Sequence, residues 1–201
     1  MGTFWAERRI RLSTDHDTRD GWPAELLFLL DRHPRATWPA RREAAVTFWL
    51  EVHDHLRRDC VGLELAADDY AARRTSAAQF AAIAAPRLRG LIAGLHGHHQ
   101  IEDFHYFPAF RRAEPRLAPG FDKLESEHAA IARDVNGAVA ALTELRTAAE
   151  HASEPGAAAT LALAAERYIA AARELSRNLC RHLTDEETLV VPLLIERGDD
   201  Y

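Results

Sequence analysis

Cysteine occurs only twice in the 201 residues, at Cys60 and Cys180. Two cysteines without a CxxC pair support neither a disulfide framework nor a zinc knuckle, and they suit a reducing cytoplasm. Lysine occurs once, at Lys123, and the formal charge is −6, which argues against the basic stripe of a nucleic-acid binder. No run of about 18 uncharged apolar residues is present to span a membrane. The first residues, Met1 to Arg9, lack the charged-then-apolar order of a leader peptide, and Ala6 stands where a myristoylation pattern wants Ser or Thr. Alternating Val/Ile/Thr-rich segments are missing too, so no strand is expected.

What remains is alanine-rich and helical in period, with Gly and Pro confined to a few places. At 22.5 kDa the chain has room for one domain with a sizeable core. The expected class is all-α, an antiparallel up-down-up-down four-helix bundle carrying an N-terminal helical extension. Residues 1–38 read as an arm. Its first 21 residues are loop-like, with His16 lying solvated between Asp15 and Asp17, and a short helix follows from Trp22-Pro23 to about His33-Pro34. The bundle is expected over 39–197, with helices near 39–65, 76–107, 121–151 and 157–190. Pro86 should kink or break the second helix, Pro108 should end it, and Pro192 with Gly198 should close the fourth.

Two stretches carry the chemistry. His98-His99-Gln100-Ile101-Glu102 runs on to Pro108, and His182-Leu183-Thr184-Asp185-Glu186 runs on to Pro192, so both read His, three residues, Glu, five residues, Pro. Residues four apart on a helix are offset by about 40° and about 6 Å, so the imidazole and the carboxylate share a face. Such a pair can offer one nitrogen and one oxygen donor to a single metal, a set suited to iron among the borderline metals. His53 lies on the apolar stripe of the first helix, whereas His55 faces its charged side. His128 lies on the apolar face of the third. His53 then His98/Glu102, and His128 then His182/Glu186, repeat one order, as a duplicated hairpin would. Only His53, well along the first helix, fits a common height awkwardly.

With these residues the chain resembles the hemerythrin family in its HHE cation-binding form, over about residues 40–195. The resemblance implies a four-helix bundle around two Fe ions, an oxo- or hydroxo-bridged di-iron centre, with Glu102 and Glu186 as bridging carboxylates and His53, His98, His128 and His182 as ligands. It also implies an open position on one iron where dioxygen binds. The family's oxygen carriers place another histidine one turn after the one matched by His128, and here that position is Ala132. In iron-sensing relatives the residue after the one matched by His98 is a ligand, which makes His99 the candidate to complete the second iron, with Glu125 as its competitor. Asp103, Asp185 and Glu187 are candidates to orient the imidazoles. His96, His105 and His151 are expected at the surface, and Trp49, Phe104 and Tyr106 in core packing that also shields the site.

The functional expectation is a non-haem di-iron protein that binds or senses dioxygen, nitric oxide or iron. A di-iron enzyme consuming peroxide or acting as an oxidase is the alternative, as is a bundle holding another metal in a structural role. Ferritin-like oxidase sites want carboxylate-rich Glu-x-x-His ligation, a spacing that Glu125-Ser126-Glu127-His128 matches, whereas the other stretches of the site are His-rich.

Overall fold

The computed structural model describes residues 21–41 and 43–198, and the loop reading of the first twenty residues, His16 included, lies outside them. Among the described residues there is no strand. Residues 24–26 and 35–40 make short 3-10 turns on either side of helix α1 (Phe28–Arg32), so the expected arm helix is divided. Four long helices follow: α2 (Ala44–Ala71), α3 (Ala77–Ile101), α5 (Ala118–Glu150) and α6 (Ala157–Arg197), with the short α4 (Phe107–Ala113) continuing from α3. Among the described residues no helix is long and apolar enough to cross a membrane.

Local chemistry explains the bounds. Ser76 caps α3, accepting from the backbone N–H of Gln79 while the Gln79 side chain accepts from the N–H of Ser76. Gly156, at φ 85°, supplies the left-handed turn into α6, and Gly198, at φ 68°, ends that helix. Helix α2 starts later than expected because Pro39 belongs to the preceding 3-10 turn. It runs on to Ala71 because Ala66 and Ala67 pack in the core while Asp68 pairs with Arg173 at 2.9 Å. His53 is thereby close to the start of α2, which removes the misfit in height.

Three prolines behave differently from expectation. Helix α3 is unbroken at Pro86, where Pro86 and Ala82, the residue whose carbonyl loses its donor, are both exposed to water. Pro108 does not end the helix. Residues Glu102–Tyr106 form a π-helical turn, in which the Phe107 N–H reaches back to the Glu102 carbonyl, and α4 carries on beyond it. A proline presses on the carbonyl four residues before it, here Phe104, and a widened turn relieves that contact. Pro192 likewise lies inside α6, among the buried Leu189, Val190, Val191, Leu193 and Leu194.

The long helices pack in a ring, each consecutive pair antiparallel. Tyr70 stacks on Phe80 at one end of α2 and α3, and His53 meets His98 at the other. Helices α5 and α6 are joined by Glu144–Arg167, Asp134–Asn178 and His128–His182 in antiparallel register. Between α6 and α2, Arg173–Asp68 and Glu187–Arg57 do the same. The apolar interior falls into two clusters. One, from Leu56 to Ala67 on α2 with its partners, fills the end of the bundle away from the arm, and the other gathers Trp49, Phe107, Phe110 and Phe121 with Leu189 to Leu194. Trp22, Leu26, Leu29 and Trp38 of the arm complete the second cluster, and the Trp22 indole N–H donates to the Asp185 carbonyl at 3.1 Å. A layer of histidines and glutamates lies between the two.

Candidate metal centre

Position along the antiparallel helices brings seven polar side chains to one level. His53 comes from the start of α2, His98 and His99 from the end of α3, and Glu102 opens the π-helical turn. His128 lies near the start of α5, and His182 and Glu186 lie beyond the middle of α6. All seven are buried except His99, which is partly so. The Nε2 atoms of His53, His98, His99, His128 and His182, and all four oxygens of Glu102 and Glu186, are buried and without a hydrogen-bond partner. Buried polar atoms are almost always satisfied, so nine orphans in one place identify a binding site for something that accepts nine donors.

The seven residues divide into two groups. His53, His98, Glu102 and Glu186 form one, and His99, His128 and His182 form the other, each within 4.8 Å. The carboxylates span the two. Glu102 turns Oε1 to His98 Nε2 at 3.1 Å and Oε2 to His128 Nε2 at 3.6 Å. Glu186 turns Oε1 to His53 Nε2 at 3.3 Å and Oε2 to His182 Nε2 at 3.4 Å. Two ligands about 2.1 Å from one ion and at right angles to each other stand about 3.0 Å apart. The spacings match donors to shared cations, and none of these contacts is a hydrogen bond.

Three further acids hold three of the rings. His53 Nδ1 donates to Glu187 at 2.9 Å, His128 Nδ1 to Asp103 at 2.8 Å and His182 Nδ1 to Glu127 at 3.0 Å. With Nδ1 donating to these acids, Nε2 is the nitrogen left to offer its lone pair to a metal. The acids are themselves countered, Glu187 by Arg57 at 2.7 Å and Glu127 by Lys123 at 3.3 Å. Burial, then the neighbouring imidazoles, push His98 down to about 3 and His99 to about 2, so both are neutral and ready to ligate. Burial works against a charged His53, but Glu186 and then Glu187 outweigh it and lift it to about 9. Burial and the charge of Glu186 hold Glu102 well above the usual carboxylate range, whereas Glu186, despite its burial, is held well below by His53 and His182. Without a cation the site therefore stores protons, and a metal would displace them.

A chain with this donor set can be compared with known proteins. The family model of the hemerythrin HHE cation binding domain matches residues 44–194. The chain belongs to the hemerythrin HHE cation-binding family. No curated protein and no solved structure matches it. Membership in this family implies cation binding, typically of iron, and the histidine and glutamate cluster offers a set of donors for it.

Within this hemerythrin-family chain the structure brings together all seven residues expected at the site. Glu125 is not among them: it is exposed and bound to Arg111 at 2.6 Å, while His99 stacks on His128 with centroids 3.8 Å apart. His55, His96, His105 and His151 are exposed. Of the candidate orienting acids, Asp103 and Glu187 reach imidazoles, whereas the carboxylate of Asp185 turns to Lys123 at 4.0 Å. Glu127 takes the third orienting place, which sequence reasoning missed. Its signal was its position: Asp103, Glu127 and Glu187 each adjoin a site residue in sequence and bind the imidazole of a neighbouring helix.

Trp49 covers the first group, its ring 5.9 Å from His53 and 6.4 Å from His98, and Tyr106 packs edge-on against Trp49. Phe104, expected in the core, is 73% exposed, because the widened turn that begins at Glu102 directs it outward. A cavity of about 230 Å³ lies between α2 and α3, walled by Phe48, Trp49, Gly97 and Tyr106 and reaching His98 and Glu102. It approaches the group with two imidazoles and not the one with three.

Proposed function

We propose that the chain holds two iron ions between its long helices and uses them to bind or sense a small diatomic ligand, dioxygen or nitric oxide. His53 and His98 would serve one ion, His99, His128 and His182 the other, and Glu102 and Glu186 would bridge them. The observation that carries this reading is the split of each glutamate between the two groups, one oxygen to each. A pair of such carboxylates fits two cations better than one. The first group then has four protein donors and the second five, so the first is the one left with room for a ligand, and the apolar cavity leads to it.

Iron in this setting supplies a reducible centre able to bind dioxygen or nitric oxide reversibly. The protein's own part is positioning and exclusion. Glu187, Asp103 and Glu127 fix three imidazoles by their Nδ1 protons, and Trp49 and Phe107 keep water from the rings they cover. Five imidazoles against two carboxylates favour reversible binding over ferritin-like oxidation, which uses carboxylate-rich sites. The expected setting is the cytoplasm, on the ground of the two unpaired cysteines.

Metal analysis with an absorption spectrum, on the native chain and on His98→Ala, tests the proposal. About two irons per chain, with near-ultraviolet ligand-to-iron bands that respond to nitric oxide and are lost in the variant, is the expected result. Zinc, a single metal, or a variant indistinguishable from the native chain would overturn it.

A further inference from the structure

Outside the metal centre, the chain's two cysteines meet. Cys60 on α2 and Cys180 on α6 sit on facing turns of antiparallel helices, bracketed by Arg57–Glu187 on one side and Asp68–Arg173 on the other. Arg57, one turn before Cys60, meets Thr184, one turn after Cys180, and this places the two thiols on the same stretch of the interface, each the chief influence on the other, with Ser176 beside Cys60. Cys60 is 1% exposed, whereas Cys180 is partly open to solvent. Neither belongs to the two donor groups of the metal centre. A buried cysteine alone is a small apolar filler. Two on facing turns of a helix interface, one of them partly open to solvent, are placed to act as a redox pair.

We propose that Cys60 and Cys180 form a reversible disulfide when the protein meets a peroxide, stapling α2 to α6 beside the metal centre. The accessible Cys180 reacts first: its sulfur takes one oxygen from hydrogen peroxide, the O–O bond breaks, and one water leaves with a sulfenic acid formed. The Cys60 sulfur then bonds to the Cys180 sulfur, and the S–OH oxygen departs with the Cys60 proton as a second water. Two thiols have lost two electrons and two protons, and one peroxide has become two waters. Cys60 is adjacent to the oxidised sulfur, so the second step outruns further oxidation of Cys180.

The staple would act on the path to the metal. Thr184, one turn beyond Cys180, donates to the Cys180 carbonyl at 2.9 Å and accepts from Arg57 at 3.3 Å. Arg57, one turn before Cys60, holds Glu187, and Glu187 holds His53. Drawing the two turns together therefore bears on an imidazole of the first donor group.

The test is peptide mapping by mass spectrometry of the reduced full chain after stoichiometric hydrogen peroxide, as purified and again after chelation. A Cys60–Cys180 linked peptide in a monomer, with both thiols lost, the mass lower by about 2 Da and recovery with dithiothreitol, is expected. Cys60→Ser should leave Cys180 as a trappable sulfenic acid, and Cys180→Ser should leave Cys60 reduced. Both thiols still free in the native chain, Cys180 driven to a sulfinic acid with Cys60 untouched, or linkage only between two chains would overturn the proposal.

Discussion

Glu187 accepts a hydrogen bond from His53 Nδ1 at 2.9 Å across the α2–α6 interface, and Arg57 binds the same carboxylate oxygen at 2.7 Å. Glu187 adjoins Glu186, so one turn of α6 supplies both a donor to the centre and the acid that aims another donor. Replacing it by Gln keeps the shape but weakens the acceptor and removes the nearer of the two acids that counter Arg57, the other being Asp54 at 3.8 Å. Glu187→Gln should lower metal affinity about 10- to 100-fold, the usual cost of losing an orienting partner. Competition with a chelator measures this, while circular dichroism should show the native helix content. An affinity equal to that of the native chain would remove Glu187 from the site.

Gly97 faces the cavity beside His98, and a Cβ added there meets no atom within 4 Å. Its φ is not positive, so alanine is tolerated by the backbone. Gly97→Ala should therefore stabilise α3, by about 0.8–1 kcal/mol on helix propensity. Gly97→Phe, in contrast, should fill the mouth of the cavity and slow binding of nitric oxide to the metal-loaded protein without changing metal content. Stopped-flow mixing distinguishes the two: an unaltered rate in the Phe variant would mean that ligands reach the centre by another route.

Tyr168 carries a buried hydroxyl with no hydrogen-bond partner, in the cluster far from the metal. Burial pushes it up to about 12 from its ordinary value near 10. The folded state therefore keeps a proton that the unfolded chain gives up as pH passes 10, and stability falls between pH 10 and about 12. Tyr168→Phe lacks both the orphan hydroxyl and that loss. It should be more stable than the native chain by about 1 kcal/mol at neutral pH, and by more at pH 11. Urea titrations of the two chains at both values decide it, and a gap that narrows with rising pH would contradict the burial argument.

The motif repeat of His98/Glu102 and His182/Glu186 made both the bundle and the centre readable, because i and i+4 share a face whatever the exact helix ends. His53 was found by its apolar stripe, but its height was not, since the start of α2 depends on Trp38 and Pro39 being taken into a separate turn. The π-helical turn at Glu102–Tyr106 was invisible because a proline in the sequence signals a stop, whereas here packing of Phe107 and Phe110 on Phe121 carries the chain past it. Glu127 was missed for a related reason. Its partner, His182, is 55 residues away, so its place beside His128 marks it as a candidate without showing which imidazole it holds.

The arm is where sequence said least, and it lies directly against the centre. Trp22 is buried on α6, its indole N–H on the Asp185 carbonyl and its ring against Lys123, and Arg35 reaches the Thr184 carbonyl at 2.7 Å and the Glu187 carboxylate. These contacts cover the turn of α6 that bears Glu186 and Glu187. Trp22→Ala opens a large cavity there and should cost about 3–5 kcal/mol. If the arm merely covered the bundle, the variant would melt earlier yet keep its metal. Because Arg35 and Trp22 brace the ligand-bearing turn, metal should also dissociate faster into excess chelator, at temperatures where circular dichroism still shows the folded chain. A lower melting temperature with native metal retention would separate the arm from the centre.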